Sequence, residues 1–154
     1  MTEFEISLAK VEDSELLVRH RVGMWKEIRP EFAKKAEELK ELTRDWIQTK
    51  LSEGKLIGFI AETLTGEVAG SGRIWLREDV PRPFNPCLEA PYLMSMYTEE
   101  GFRRRGVAKM IVQYAIDWSK EHGYRTMSLH ASEAGIPLYG QFGFKLTTEM
   151  RIML

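Results

Sequence analysis

Arg103-Arg104-Arg105-Gly106-Val107-Ala108 has the residue types to hold an anion. It lies between an apolar run, Tyr92-Leu93-Met94-Ser95-Met96-Tyr97, and an amphipathic pattern that predicts a helix from about Ala108 to His122. The first turn of a helix leaves backbone N–H groups without intrahelical acceptors, and the helix dipole adds partial positive charge there. A pyrophosphate fits that geometry. Three arginines add formal charge, and Gly106 lets backbone approach a ligand that a Cβ would block. The turn is not a P-loop, because no Gly-Lys-Ser/Thr follows Gly106, and its single glycine is not the dinucleotide fingerprint. A solvated basic turn on an ordinary crossover is the plainer reading of the same residues.

Composition narrows the anion. The net charge is −1, so the arginine cluster is local and no basic field exists to hold a nucleic acid backbone. A small anionic ligand is expected instead. One cysteine, Cys87, excludes an internal disulfide framework and points to a reducing compartment. His20, His122 and His130 are scattered and offer no metal-ligand spacing, so no metal is expected. No basic, apolar leader opens the chain, and no window reaches the ~20 apolar residues of a membrane span. The expectation is one domain over residues 1–154, soluble and cytoplasmic, without a membrane partner.

The elements around the turn can be read from periodicity. Phe4, Ile6 and Leu8 alternate with polar residues, which predicts a first strand. Asp13 or Ser14 then caps a helix carrying Leu16, Leu17, His20, Val22 and Trp25, which Pro30 stops. A second helix is predicted over about 32–51, with Gly54 as its C-cap. Residues 56–62 and 68–76, joined by Thr65-Gly66-Glu67, read as an antiparallel hairpin. Gly70 and Gly72 within it suggest a bulge or close backbone contact. Four prolines (Pro81, Pro83, Pro86, Pro91) predict a loop over 79–91. Tyr92 to Tyr97 is the next strand, and after the helix Thr126 to Ala131 runs parallel to it. A short helix over 136–142 follows, and 144–154 reads as one or two terminal strands. This order predicts an α/β (α+β) class, a mixed, mostly antiparallel central sheet with helices on both faces.

The order of elements, the turn Arg103-x-x-Gly106-x-Ala108, and the stretch Ala134-Gly135-Ile136-Pro137-Leu138-Tyr139-Gly140-Gln141-Phe142-Gly143-Phe144 resemble the GCN5-related N-acetyltransferases. In that family the turn binds the pyrophosphate of acetyl-CoA through backbone amides, and the tyrosine of the later stretch serves as general acid. The resemblance implies cofactor contacts from Arg103, Arg104, Arg105, Gly106, Val107 and Ala108, and a proton donor in Tyr139. It implies a fourth strand splayed from the fifth, with Met96, Tyr97 and Thr98 offering backbone amides to the pantetheine arm and to the carbonyl oxygen. Two departures stand out. Ser132 occupies the place of the family asparagine, where its hydroxyl can still hydrogen-bond a cofactor. Thr98-Glu99-Glu100-Gly101 stands where a proline is usual.

The reaction so implied is acetyl transfer from a thioester to the primary amine of a small molecule. A lysine-like amine has a pKa near ~10.4, so its deprotonation at neutral pH costs about 5 kcal/mol. A base, a water chain or a less basic substrate must meet that cost. Glu62, Glu78, Glu89 and His130 are the candidate bases, none singled out. The resemblance makes the junction of the first two helices, with Trp25, a wall of the acceptor pocket, where a cation–π contact could hold an amine. Phe84 is a further candidate from the 79–91 loop. A protein N-terminus or lysine as acceptor, and a non-catalytic acyl-CoA-binding module, are the alternatives. Strand edges at the end of the chain could support a homodimer.

Overall fold

The computed structural model describes residues 2–154. Five strands form one sheet in the order β1-β2-β3-β4-β5: Phe4–Leu8, Leu56–Thr63, Val68–Glu78, Glu89–Thr98 and Ser128–Leu129. The first four pair antiparallel, and β5 joins β4 in parallel. Five helices complete the fold: α1 Ser14–Ile28, α2 Ala33–Glu38, α3 Lys40–Ser52, α4 Val107–Glu121 and α5 Ile136–Gln141. None is long and apolar enough to cross a membrane, among the described residues.

Alternation along the strands divides the apolar residues between two faces. Ile74 joins Phe4, Phe59, Leu93 and the α4 residues Val107, Ile111, Val112 and Ala115. Its neighbour Trp75 points the other way, toward Leu17, Val18 and Val22 of α1 and Ile47 of α3. Helices thus cover both faces, as the sequence predicts. Full burial of a side chain such as Ile111 contributes roughly 1.5–3 kcal/mol, so α4 is firmly seated beneath its exposed N-terminal turn.

Two irregularities in the sheet open the region before α4. Ser71 pairs with Tyr97 and Arg73 with Met94, so β4 carries one more residue than β3 between these points. The extra residue makes a bulge at Ser95, whose φ is 55°. Gly70 lies beside it, and a Cβ there would sit 2.6 Å from the Tyr97 carbonyl oxygen. Next, β5 pairs with β4 only at Tyr92↔Ser128 and Leu93↔Leu129. Beyond Leu93 that edge of β4 has no neighbouring strand among the described residues.

Four expectations need correction. The predicted helix over 32–51 breaks at Leu39, whose ψ of 5° turns the chain, so that α2 lies along α1 while α3 buries Ile47. Pro91, expected in a loop, sits within β4 opposite Leu76; β5 does not extend to it, so β4 is an edge at that point and tolerates proline. The fifth strand is two residues long rather than six. Residues 144–154 form no strand: Leu146, Met150, Ile152, Met153 and Leu154 are exposed, and an alternating pattern becomes a strand only beside a partner.

Candidate active site

The basic turn before α4 is built from backbone. Arg104 and Gly106 both take left-handed conformations, with φ of 62° and 83°. They bend the chain from a 3-10 turn at Glu100–Phe102 into α4. Met110 is the first residue of α4 whose N–H reaches a backbone carbonyl ahead of it, that of Gly106 at 3.0 Å. The N–H groups from Arg104 to Lys109 have no acceptor among the described residues. Val107 is buried and anchors the turn, while Gly106 is exposed, and a Cβ on it would meet nothing within 4 Å.

The arginine side chains divide the work unequally. Arg103 donates to the Thr98 carbonyl at 3.1 Å and pairs with Glu27. Arg105 pairs with Glu3 at 2.8 Å and lies over the rings of Phe4 and Phe102. Arg104 alone of the three has no ion-pair partner among the described residues. Two of the three side chains therefore hold the turn to its surroundings.

Behind the turn runs a buried polar chain. His20 of α1, fully buried, has Nε2 2.8 Å from Glu99 Oε1 and Nδ1 2.7 Å from Ser71 Oγ. Burial lowers the His20 pKa, against the pull of Glu99. With the ring neutral, Nε2–H donates to Glu99 and Nδ1 accepts from the Ser71 hydroxyl. Burial alone would raise the Glu99 pKa, but hydrogen bonds from Arg19 and His20 hold it below the usual carboxylate value. The chain ties α1, β3 and the end of β4 together one step before the basic turn.

The remaining predicted residues fall at several places. Tyr139 is half-buried on α5, edge-on to Phe144, and burial raises its pKa. It lines a cavity of about 680 Å3 with β5 and the segment after α5. The Met96 side chain packs into the core, its sulfur beside Gly72, so only its backbone faces the open strand edge. The Tyr97 ring lies 4.8 Å from that of His20. Ser132 Oγ accepts from Gly135 N at 3.2 Å, capping the turn before α5. Trp25 and Phe32 stand edge-on at 6.1 Å and line a second cavity of about 200 Å3. Phe84 is exposed at a loop tip and lines neither cavity. Among the candidate bases, His130 is exposed, with Nδ1 2.5 Å from the Tyr92 hydroxyl and Nε2 paired to Glu149. Glu89 is committed to Lys55 and to the Tyr124 hydroxyl. No cluster of metal-ligating side chains occurs among the described residues.

Sequence reading missed Arg21, Tyr92 and Ser95. Arg21 lines the 200 Å3 cavity and donates to Ser95 Oγ at 2.8 Å, linking that cavity to the β4 bulge. The available signal was a charge set into the apolar stripe Leu17–Arg21–Trp25.

A basic turn of free amides, an open fourth-strand edge before it and a bulge at the opening lie together at one end of the sheet. The sequence matches the acetyltransferase (GNAT) family model over residues 21–144, and the chain belongs to that family. It is similar to the crystal structure of a GCN5-related N-acetyltransferase from Ralstonia eutropha, with 28% identity, 98% of each chain covered and a TM-score of 0.91. A Clostridium acetobutylicum protein, described as a predicted acetyltransferase and solved with acetyl-CoA, has 24% identity and a TM-score of 0.85 over 98% of this chain and 96% of its own. Glucosamine-6-phosphate N-acetyltransferase from Arabidopsis thaliana shares the fold at 16% identity, a TM-score of 0.71 and 99% coverage of both chains. A search among curated proteins finds no match.

Proposed function

We propose that the protein transfers the acetyl group of acetyl-CoA to the primary amine of a small molecule. The observation that carries this reading is the run of free amides from Arg104 to Lys109, directly downstream of an unpaired strand edge. Amides of Gly106, Val107 and Ala108 hold the pyrophosphate, with the dipole of α4 behind them. Arg104 adds a charge-assisted contact, while Arg103 and Arg105 fix the turn. Met96, Tyr97 and Thr98 present backbone to the pantetheine arm as a strand would. Acetyl-CoA supplies an acyl group activated as a thioester.

The side chains then manage protons. A backbone N–H at the β4 bulge donates to the carbonyl oxygen as negative charge gathers there. Tyr139 gives its proton to the departing sulfur; its raised pKa keeps it protonated until that moment. The amine loses its proton through Tyr92 to His130 Nδ1, with Glu149 stabilising the ring at Nε2. The small cavity of about 200 Å3 beside Trp25 favours a small acceptor over a protein chain.

Acetyl-CoA binding is the test. A ligand that binds only the native state must raise stability, by about 2.7 kcal/mol at a hundredfold excess over Kd. A thermal titration with acetyl-CoA should show that rise, and a flat response would refute the reading. Tyr139→Phe should lower kcat by about 10²-fold or more while leaving acetyl-CoA affinity intact.

A further inference from the structure

The face of the sheet beneath α1 holds more positive charge than the fold balances. Arg73 of β3 is fully buried. Its Nη2 donates to the Leu17 carbonyl at 2.9 Å, but Nε and Nη1 have no partner among the described residues. Arg21, one turn beyond Leu17 on α1, is largely buried too, and donates Nη1 to Ser95 Oγ. Neither guanidinium has a carboxylate partner among the described residues, whereas exposed Arg19, Arg29, Arg82, Arg103 and Arg105 all do. Burial and the neighbouring Arg21 bring the Arg73 pKa down to about 9, and burial also lowers that of Arg21. Buried charges are ordinarily paired, and two unpaired ones of the same sign side by side call for an anion.

The cavity that Arg21 lines agrees with this. Its other walls are Val22, Trp25, Phe32, Ala36 and Leu39, with Lys35 and Thr43 as further polar groups and no acidic residue. At about 200 Å3 it is smaller than a drug-sized pocket of about 300–1,000 Å3. The same Arg21 reaches the β4 bulge through Ser95, so a group held by it stands next to the strand that would carry the acetyl group.

We infer that the acceptor is an amine bearing an anionic group, a carboxylate or a phosphonate-like oxyanion, on a small apolar body, and that Arg21 binds that group. This rests on the acetyl-transfer reading above. Arg73 lies behind Arg21 and adds its field without touching the ligand. The two cations also disfavour the ammonium form of an amine held beside them, so recognition of the anion helps to deliver the neutral nucleophile. Polyamines, which bring further positive charge, are rejected by the same field.

The test compares kcat/KM, read as released CoA thiol, for phenylalanine, phenylalaninamide, 1-amino-2-phenylethylphosphonate and spermidine. At least one anionic amine should exceed the amide and spermidine by tenfold or more, and the better of the two identifies the oxyanion. Arg21→Gln should remove the preference with acetyl-CoA affinity unchanged, and Arg21→Lys should restore part of it. An equal or preferred amide or polyamine, or a preference that survives in Arg21→Gln, overturns the inference. A second arm is independent of turnover: calorimetric titration with 3-phenylpropanoate, 3-phenylpropylphosphonate and 3-phenylpropan-1-ol. Binding of an anion but not the alcohol, lost in Arg21→Gln, supports the site even if the protein fails to bind acetyl-CoA, a result that would defeat only the transfer reading. No anion binding, or equal binding of the alcohol, overturns it. Because Arg21 also holds Ser95, Lys35→Gln at the exposed cavity rim serves as a second variant, with a two- to fivefold loss of the anionic preference expected.

Discussion

Replacing Arg73 by methionine isolates the cost of the unpaired charge. Taking an ion out of water costs several kcal/mol, and here the return is one hydrogen bond to the Leu17 carbonyl. That bond, made by a charged donor, is worth about 1.5–3 kcal/mol. Methionine fills a similar volume, adapts its shape and needs no partner. Leu17 O loses little, since α1 is continuous from Ser14 to Ile28 and carries it within a helical turn. A net stabilisation of about 1–4 kcal/mol follows, the range found when buried ions are replaced by apolar groups. At 154 residues, each kcal/mol moves Tm by roughly 2–4 °C, so the variant should melt about 4–8 °C higher for a 2 kcal/mol gain.

The assay is urea denaturation at neutral pH beside a calorimetric scan, with the slope m checked to be unchanged. The pH dependence gives a second reading. The folded pKa of Arg73 lies below its unfolded value, so the unfolded chain holds more protons above about pH 9. Wild-type stability therefore gains from this group as pH rises through that range, and the advantage of Arg73→Met should narrow above about pH 9. A variant that melts below wild type by more than about 1 kcal/mol would refute the reasoning, because the guanidinium would then have an internal counter-charge. If the anion inference is right, the same variant pays for its stability in turnover, with acetyl-CoA binding unaffected.

Three further outcomes are expected. Wild-type Tm should fall as pH drops from 7.5 to 5.5, because His20 has a lowered pKa and protonates more readily when unfolded; His20→Gln, facing the same Glu99, Ser71, Arg19 and Arg73, should flatten that slope in a calorimetric pH series. Gly70→Ala places a Cβ 2.6 Å from the Tyr97 carbonyl oxygen and should cost about 1–3 kcal/mol by urea melt, since backbone cannot step aside as a side chain does. His130→Gln should lower kcat by about 10²-fold, with the Tyr92 partner lost and acetyl-CoA affinity unchanged; an unchanged kcat would take His130 out of the proton path.

Local patterns in the sequence were sufficient where each element buries a face of its own. Phe4 and Ile6 of the first strand and the stripe through Ile111 and Ala115 all meet the same core, while Leu8 is exposed at the strand end. Elements whose form depends on a distant neighbour were harder. Leu39 turns the chain so that both α2 and α3 pack on α1 while α3 also reaches β2, and the tail after Phe144 alternates without a strand beside it. Pro91 is tolerated only because β5 stops short, which no window around the proline can reveal.

The two halves of the candidate site differ in the same way. In the proposed function, recognition of the donor is a backbone affair: the amides assigned to the pyrophosphate come from consecutive residues, so a glycine, a helix start and a basic run in one short stretch announce them. Recognition of the proposed acceptor is a side-chain affair. Arg21 meets Ser95 across 74 positions, and Tyr92 meets His130 across 38. Such contacts leave only faint local traces, a charge within an apolar stripe at Arg21 and a charge between Gly72 and Ile74 at Arg73. Those traces share a physical meaning that periodicity does not use. An apolar element that keeps a charge where a leucine would be more stable gives up stability, and the loss persists where something binds that charge. Sequence positions of this kind are therefore where substrate chemistry should be sought first, ahead of the aromatic residues Trp25 and Phe84 that resemblance and loop position suggest.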